Sequence, residues 1–466
     1  MHNRRGEFDV IETINKEKDE LRPTFDAIAK LAKLQIVQNR IEPIQAHAYE
    51  KKHFVRRSAL RRIISPRSLS NPKDYIDEIE SWYKPNRKRY EGDALILYIL
   101  AEDNDEIRQA GQYISMDEYE HPQLIFAIPK DPIKLTETLL GLAAAEEVKN
   151  PNKYPNKDAG DNEEIETIIA DLQSEIIEIT DYFLQANKLV WHSNGDITSN
   201  LAGGKEEEYI SGILENCFSK TPVVKDDTIA NIYSGKDPSR KDRHEVLTQL
   251  LEHRGAISVK KTGGTAVDRI FRTCLVDTEI FERKADKGNY ADYDVRSKLP
   301  KNAVLDEIWK FLADKLFQQE HRVELSVIVN SLLRPPYGLS HQLLEILLAS
   351  FFRNYLDEFV IFDSYIDSKK RQDSRLLRKI SLDAQAITSI VQAPDDYVAI
   401  YYEVRPTERE YVNRVISLIT AKDVKSGEMG IWDRGRDVLL QWFTSLPPIT
   451  THASAYSADS SVNYFL

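Results

Sequence analysis

The sequence predicts an α+β fold that is predominantly helical and divided into several domains. At 466 residues the chain is longer than one hydrophobic core usually organises. Most of its apolar residues recur at the spacing of amphipathic helices, and a few short apolar runs interrupt them as strands would. With 41% hydrophobic and 30% charged residues, the composition is that of a folded, soluble protein.

The first predicted region, residues 1–90, is helical and basic. ELRPTFDAIAKLAKLQIVQNRI (20–41) places apolar residues at helical spacing, and KKHFVRRSALRRII (51–64) continues that character with pairs of arginines. From Lys51 to Arg89 there are twelve Lys and Arg against four Asp and Glu, a local charge of +8. The net charge is −12, so the rest of the chain carries −20. This asymmetry indicates a partner for the basic region.

We predict that this basic region contacts nucleic-acid phosphates. On a helix, Arg57 would lie near Arg61 and Arg56 near Arg62, giving a dense positive face without the geometry to read bases. The alternative is that the acidic remainder of the chain neutralises these side chains internally. The candidate residues are Lys51, Lys52, Arg56, Arg57, Arg61, Arg62, Arg87, Lys88 and Arg89.

Residues 91–150 predict a small parallel α/β unit. DALILYILAED (93–103) and PQLIFAIPKD (122–131) read as buried strands, each followed by a helical pattern, the second begun by Pro132. A phosphate site would need glycines after the first strand. The sequence there is Glu102, Asp103, Asn104 and Asp105, which repels phosphate, so we interpret this unit as structural.

A polar linker (149–162) precedes a predicted heptad helix, residues 163–192. Six apolar residues follow one another at spacings of four and three, the seam of a coiled coil. The seam covers fewer than three heptads, so we expect it to pack within the chain. The six residues are Ile165, Ile169, Leu172, Ile176, Ile179 and Phe183.

Residues 208–283 predict a module of short helices between two loops, 195–208 and 282–302. Residues 226–257 supply the first helices. The last helix, near 265–283, gathers its apolar side chains on one side: Val267, Ile270, Phe271, Cys274 and Leu275.

Residues 300–366 predict a winged-helix-like module, because three apolar helices are followed by a strand. Between the second and third helices, Pro335 and Pro336 end one helix, Gly338 permits a turn, and Tyr337 can pack over it. The third helix is apolar on most sides and Arg353 is its only full cation. This composition favours a buried helix of an interaction module over a reader of bases.

The last region, 367–466, predicts further α+β structure: a basic loop, a helix near 382–391, the strand YVAIYYEV and the helix EREYVNRVISLI. Asp395, Asp396 and Glu403 resemble a nuclease core, but Arg405 stands where such a site wants lysine, so we interpret the segment as an ordinary strand.

The sequence contains no motif for catalysis or for a cofactor. No complete phosphate-binding loop, paired metal-binding histidines or GxSxG element occurs, and the two cysteines, Cys217 and Cys274, lack metal-ligand spacing. We therefore predict no catalytic residue, no metal, no cofactor and no ATP binding. Without a signal peptide or an apolar run of about 18 residues, the chain is expected in the cytoplasm and not in a membrane.

Three stretches together resemble the large P-loop ATPases of BREX-type bacterial phage defence (BrxC/PglY-like). They are RPPYGLSHQLLEILLASFFR (334–353), DDTIANIYSGKDPSRKDRHEVLTQLLEHRG (226–255), and the α/β unit DALILYILAEDNDEIRQA with LIFAIPKDP. The likeness spans roughly Asp93 to Phe362. Members of that family carry a phosphate loop and a magnesium-binding acidic strand in an N-terminal ATPase domain, which this sequence lacks. The chain therefore resembles the region that follows the ATPase domain.

The resemblance implies a non-catalytic subunit or fragment of a BREX-like antiviral defence ATPase. Such a chain would dock other defence proteins, an ATPase subunit among them, and would bind duplex DNA without sequence preference. Two alternatives stay open: a DNA-modifying enzyme or nuclease with an unrecognised site, and a winged-helix transcriptional regulator. Oligomeric state and the identity of the partners do not follow from the sequence.

Overall fold

The computed structural model describes most of the chain, and its residues form two compact units, Met1–Ser219 and Lys220–Leu466. The fold is mixed α/β with 55% helix and 17% strand, which confirms the predominantly helical class. The described residues are 9–83, 92–116, 120–231, 237–252, 255–295, 300, 302–318, 322–356, 358–366, 375–403, 405–420 and 431–445. None of the helices in these ranges has the length and apolarity that a membrane crossing requires.

The first unit combines nine helices and six strands within its described residues. In chain order they are α1 (Val10–Leu21), α2 (Ala27–Lys33), α3 (Gln35–Gln38), β1 (Ile44–Gln45), α4 (His47–His53), β2 (Ser58–Ile64), α5 (Lys73–Ser81), β3 (Ala94–Ile99), α6 (Asn104–Ile114), β4 (Leu124–Pro129), α7 (Thr136–Lys149), α8 (Ala159–Phe183), β5 (Leu189–Ser193), β6 (Asp196–Thr198) and α9 (Glu206–Cys217).

One six-stranded sheet, ordered β1 to β6, organises this unit. The central strands β2, β3 and β4 are parallel, and the outer pairs are antiparallel. The predicted parallel unit β3–α6–β4–α7 is confirmed, and the sheet extends beyond it on both sides. All six residues of β3 and of β4 are buried. Such continuous apolar strands are typical of parallel sheets covered on both faces.

The predicted helix over 51–64 is wrong beyond His53. Helix α4 ends there, Phe54 adopts a left-handed conformation (φ 59°), and Ser58–Ile64 forms β2 beside β3. Pairing with the buried strand β3 overrides the local pattern, and Ala59 and Ile63 are buried in the resulting sheet. Since successive side chains of a strand point to opposite faces, Arg61 and Arg62 diverge.

Helix α8 occupies the predicted heptad segment with different bounds. It begins at Ala159 behind a capping box formed by Asp158 and Asp161, so the end of the predicted linker is helical. It ends at Phe183, and the chain then continues into β5 instead of further helix. Three residues of the predicted seam, Ile165, Ile169 and Leu172, pack in a cluster with α1 and α7, and the heptad assignment itself stays a prediction.

The second unit contains nine α-helices and seven strands among the residues described. They are α10 (Asp227–Ala230), α11 (Arg240–Leu251), β7 (Ile257–Lys260), α12 (Ala266–Phe271), β8 (Phe281–Lys287), β9 (Tyr290–Val295), α13 (Ala303–Leu316), β10 (Arg322–Glu324), α14 (Leu325–Leu333), α15 (His341–Arg353), β11 (Phe359–Ile366), β12 (Arg375–Ile380), α16 (Ala384–Gln392), β13 (Tyr397–Tyr401), α17 (Pro406–Thr420) and α18 (Ile431–Ser445).

Two antiparallel sheets form in this unit, β7-β9-β8 and β10-β13-β11-β12. The predicted loop 282–302 is partly wrong, because β8 and β9 form a hairpin that turns at Gly288 (φ 61°). FERKADK is strongly charged because β8 is an edge strand, and charges on an edge discourage pairing with other chains. The charged sequence of β8 therefore resembles that of a loop.

The element order α13, α14, α15, β11 agrees with the helices and strand of the predicted winged-helix-like module. The hairpin β11–β12 follows, and β13, from the C-terminal region, lies between β10 and β11. The sheet of this region thus draws on residues on both sides of the predicted boundary at 366. The winged-helix assignment itself stays a prediction.

The Pro335–Gly338 turn is held by the protein itself. The Pro335–Pro336 peptide is cis, and the backbone N–H groups of Tyr337 and Gly338 donate to the carbonyl of Arg334 at 3.1 and 2.8 Å. Thr221 donates its hydroxyl to the carbonyl of Tyr337 at 2.6 Å. Gly338 takes the left-handed conformation that its place in the turn requires (φ 57°).

Candidate docking surface

Most of the predicted basic residues that the structure describes are engaged with neighbouring groups. Lys51 and Lys52 lie exposed on α4, and Lys52 pairs with Glu215 at 2.5 Å. Arg56 is exposed and contacts Glu50 at 3.1 Å. The remaining three candidates, Arg87, Lys88 and Arg89, lie outside the described residues.

Arg57 is part of the core of the first unit. Its guanidinium donates to the Asp93 carboxylate at 2.6 Å and lies 3.6 Å from the centroid of the Phe218 ring. Asp93 also accepts the backbone N–H of Ser58 at 2.9 Å. A buried guanidinium with this set of contacts has no access to a nucleic-acid phosphate.

Arg61 and Arg62 face opposite sides of the sheet. Arg61 donates to the Tyr98 hydroxyl at 3.1 Å and to the carbonyl of Arg40 at 2.8 Å. Arg62 forms a two-pronged pair with Glu78, both distances being 2.7 Å. The four guanidinium groups therefore do not form the single face that a helix would have given them. Arg57 and Arg62 instead pair with carboxylates of the chain itself, Asp93 and Glu78, as the alternative to phosphate binding proposed.

The carboxyl edge of β3 and β4 is filled by a side chain of the protein. Open parallel sheets usually bind ligands at this edge. Here Glu102 accepts hydrogen bonds from the backbone N–H groups of Leu135 and Thr136, at 3.0 and 2.6 Å, at the start of α7. Backbone N–H groups at the start of a helix are a common binding site for anions. Glu102 thus caps the helix and supplies the negative charge there itself.

Helix α15 is buried throughout, as its composition predicts. Every residue from Gln342 to Arg353 is buried, polar side chains included. Arg353 donates to the carbonyl of Leu250 (2.5 Å), at the end of α11, and to the carbonyl of Gly255 (2.6 Å), beyond it. The only full cation of α15 therefore forms its hydrogen bonds inside the fold. Because α15 is buried, it cannot lie in a DNA groove.

A charge network joins α15 to the start of α11. Arg243 donates to Glu345 at 2.6 Å and to Asp237 at 2.5 Å, and both Arg243 and Glu345 are buried. Burial alone would raise the pKa of Asp237, but hydrogen bonds from Ser239 and Arg243 outweigh it and hold the pKa below its usual value. Arg243 thus pairs with two carboxylates, and burial raises the pKa of the second, Glu345, above its usual value.

Helices α17 and α18 pack against each other through a small apolar seam of Val412, Ile416 and Val438. Gly435 lets them approach closely, because a Cβ at this position would lie 2.8 Å from Cγ1 of Val412. The seam uses only part of the apolar surface of each helix.

The rest of that apolar surface is open. A groove of about 560 Å³ runs along the two helices, and Arg436 is the one charged side chain among its described lining residues. Six large apolar side chains on the pair are between 43% and 79% exposed: Tyr411, Leu418, Leu439, Leu440, Trp442 and Phe443. We call this set, with the groove, the apolar face of the α17–α18 pair.

The sequence analysis missed α18, although a signal for it exists. Within VLLQWF (438–443), Leu439 and Phe443 are four residues apart, as on one side of a helix. The α17 helix, by contrast, was predicted.

The remaining candidate groups, the nuclease-like carboxylates and the two cysteines, do not form a metal site in the described residues. Asp395 and Asp396 precede β13 and Glu403 follows it, so the five residues of this strand separate the two acidic groups. Within the described ranges no group of three or more His, Cys, Asp or Glu is placed to hold a metal. Both cysteines are buried free thiols, and burial raises the pKa of Cys217 to about 12.

Comparison of the chain with protein-family models, with curated proteins and with solved structures finds no match.

Proposed function

We propose that this chain is a non-catalytic docking component that binds a helical protein surface through the apolar face of the α17–α18 pair. The observation that carries this proposal is the exposure of six large apolar side chains around one groove. Water-exposed apolar surface costs free energy, so a folded protein that keeps a large contiguous patch usually covers it with a partner.

The size of the face fits a protein contact. Its three aromatic side chains alone expose about 300 Å², at about 200 Å² for a whole aromatic side chain. Monomeric proteins rarely expose contiguous apolar patches larger than a few hundred Å². The groove between the two helices suits side chains of a third helix, the mode by which amphipathic helices are recognised.

The assembly that we propose is a BREX-like antiviral defence complex, in which an ATPase subunit supplies the nucleotide chemistry. This part rests on the resemblance of the α/β unit, of residues 226–255 and of the 334–353 segment. The Glu102 side chain at the start of α7 agrees with a non-catalytic role, since it already takes two backbone N–H groups at the edge where open parallel sheets usually bind ligands.

Site-specific photo-crosslinking tests the docking function. A photoreactive residue replaces Leu440 in the groove, and in a control protein it replaces Ile11, an exposed residue of α1 in the first unit. After irradiation in the native cell, position 440 should give one discrete protein adduct and position 11 none. Failure of position 440 to give an adduct, in a folded and normally abundant protein, would refute docking through this face.

A further inference from the structure

We propose that the occupant of the apolar face is a second copy of this chain, so that two α17–α18 pairs close into a symmetric four-helix bundle. The inference rests on the proposed docking function and names its partner. Two packed helices with one open apolar face are half of such a bundle, and a two-fold axis places the same face against itself.

The charge of the face favours a copy of itself. Among the described residues that line the groove, Arg436 alone is charged, and its side chain is exposed. Two identical faces therefore bring together mainly apolar side chains, and the like-charge repulsion between their described lining residues is limited to the exposed Arg436 of each copy. A partner chosen by charge would find little to pair with, while an equally apolar face loses little by leaving water.

The shape of the face supplies both a cavity and a projection. The groove lies between Tyr411 and Val415 of α17 and Leu439 and Phe443 of α18. Leu418 stands one turn beyond Val415 on the same side of α17 and is 79% exposed without lining the groove. In a two-fold arrangement, the leucine of each copy can enter the groove of the other, which is how an isologous interface complements itself.

The exposed area reaches the lower end of the range for specific interfaces. The three exposed leucines add an apolar area comparable to that of the aromatic side chains, for about 600 Å² per copy. A symmetric pair would then bury about 1,200 Å², where specific protein interfaces begin, before any polar rim is counted. Interfaces of permanent homodimers are also the most apolar.

Sedimentation analysis of the full chain between about 0.5 and 50 μM tests the proposal. The wild type should shift from monomer towards a dimer of the 53.7 kDa chain as its concentration rises through this range. Leu418→Glu and Leu440→Glu should each raise the dissociation constant at least about 100-fold, because every dimer carries the buried charge twice. Ile11→Glu, a matched change at a residue 59% exposed in the first unit, should leave it unchanged. Circular dichroism should show that all four proteins are folded.

A wild type that is monomeric at 50 μM, or a dimer that both glutamate variants leave intact, would overturn the proposal. Photo-crosslinks from position 440 to a different protein would then leave the docking function standing. Dimer formation that persists in 1 M NaCl would support the apolar face over ionic contacts, since salt screens the latter.

Discussion

Helices α15 and α18 belong to the same unit and are both rich in large apolar residues, yet their surroundings are opposite. In α15 even the polar residues Glu345 and Arg353 are buried, and their charges meet partners inside the fold. In α18 four of the largest apolar side chains, from Leu439 to Phe443, are 43% to 55% exposed. The contrast teaches that neighbours, more than composition, decide burial. Among the described residues, α18 is therefore the helix to which we assign a partner in our proposal.

The largest expected effect comes from breaking the charge network of α15. Glu345→Ala leaves the buried Arg243 with only Asp237, and the loss of one partner of a buried pair typically costs about 3–5 kcal/mol. Urea unfolding of the second unit should show this loss. Glu252→Ala, at an exposed glutamate after α11, should stay within about 0.5 kcal/mol. A cost below about 1 kcal/mol for Glu345→Ala would mean that the network contributes little.

Gly435 tests the packing within the α17–α18 pair. A methyl group there would meet the stiff Val412 side chain at 2.8 Å, so Gly435→Ala should destabilise the pair by about 1 kcal/mol or more despite the better helix propensity of alanine. Gly111→Ala in α6, where nothing lies within 4 Å, should instead stabilise by about 0.5–1 kcal/mol. Amide hydrogen exchange in α18 and in α6 measures the two changes in stability.

Opposite signs at the two glycines would confirm close packing at Gly435. A stabilising Gly435→Ala would show that the helices are farther apart. Combining Gly435→Ala with Val412→Ala should recover part of the loss, since the clashing methyl group is then gone.

Low pH should affect the charge network at α15 but not the apolar face of the α17–α18 pair, because Asp237 belongs to that network. Its folded pKa lies below the unfolded value near 3.8, so its stabilising effect is present above that value and is lost as the pH falls through the folded pKa. Asp237→Asn should therefore lower the Tm at pH 6, and this difference should shrink below about pH 4. Association through the apolar face should not change between pH 5 and 8, because the described lining residues include no histidine and no carboxylate. A Tm difference that is constant down to pH 3 would contradict the assigned shift.

The smallest expected effect concerns duplex DNA, which we retain as a proposed partner of the basic residues. Because Arg61 and Arg62 are held by Tyr98 and Glu78, replacing both by alanine should change the salt dependence of DNA binding by less than about 0.5 units of log affinity per log salt. Replacing the exposed Lys51 and Arg56 should change it by up to about 1.8 units. Equal effects of the two double variants would mean that Arg61 and Arg62 contact DNA as strongly as Lys51 and Arg56 do.

The sequence predicted those elements in which local pattern and tertiary role agree. Strands β3 and β4 are continuous apolar runs because helices cover both faces of the sheet, and α15 is buried because it is apolar on most sides. The second strand, β2, could not be predicted, since its Arg61 and Arg62 have partners far away in the chain. Their spacing therefore resembles that of an amphipathic helix.

The candidate surface was less predictable than the fold. Exposure depends on what a helix packs against, and VLLQWF (438–443) reads equally well as core or as interface. The buried role of Arg57 was equally hidden, because it needs Asp93 and the ring of Phe218 to be brought to it. Only the assembled fold distinguishes a cation in the core from one on the surface.

Labelling of a single cysteine in the groove tests the central claim most directly. Cys217 and Cys274 are buried, so Leu440→Cys introduces a reactive thiol that stands out against them. If a second copy covers the apolar face, maleimide labelling at position 440 should slow about tenfold between 0.5 and 50 μM protein, while an Ile11→Cys control keeps its rate. Equal labelling rates at position 440 across that range would contradict the account.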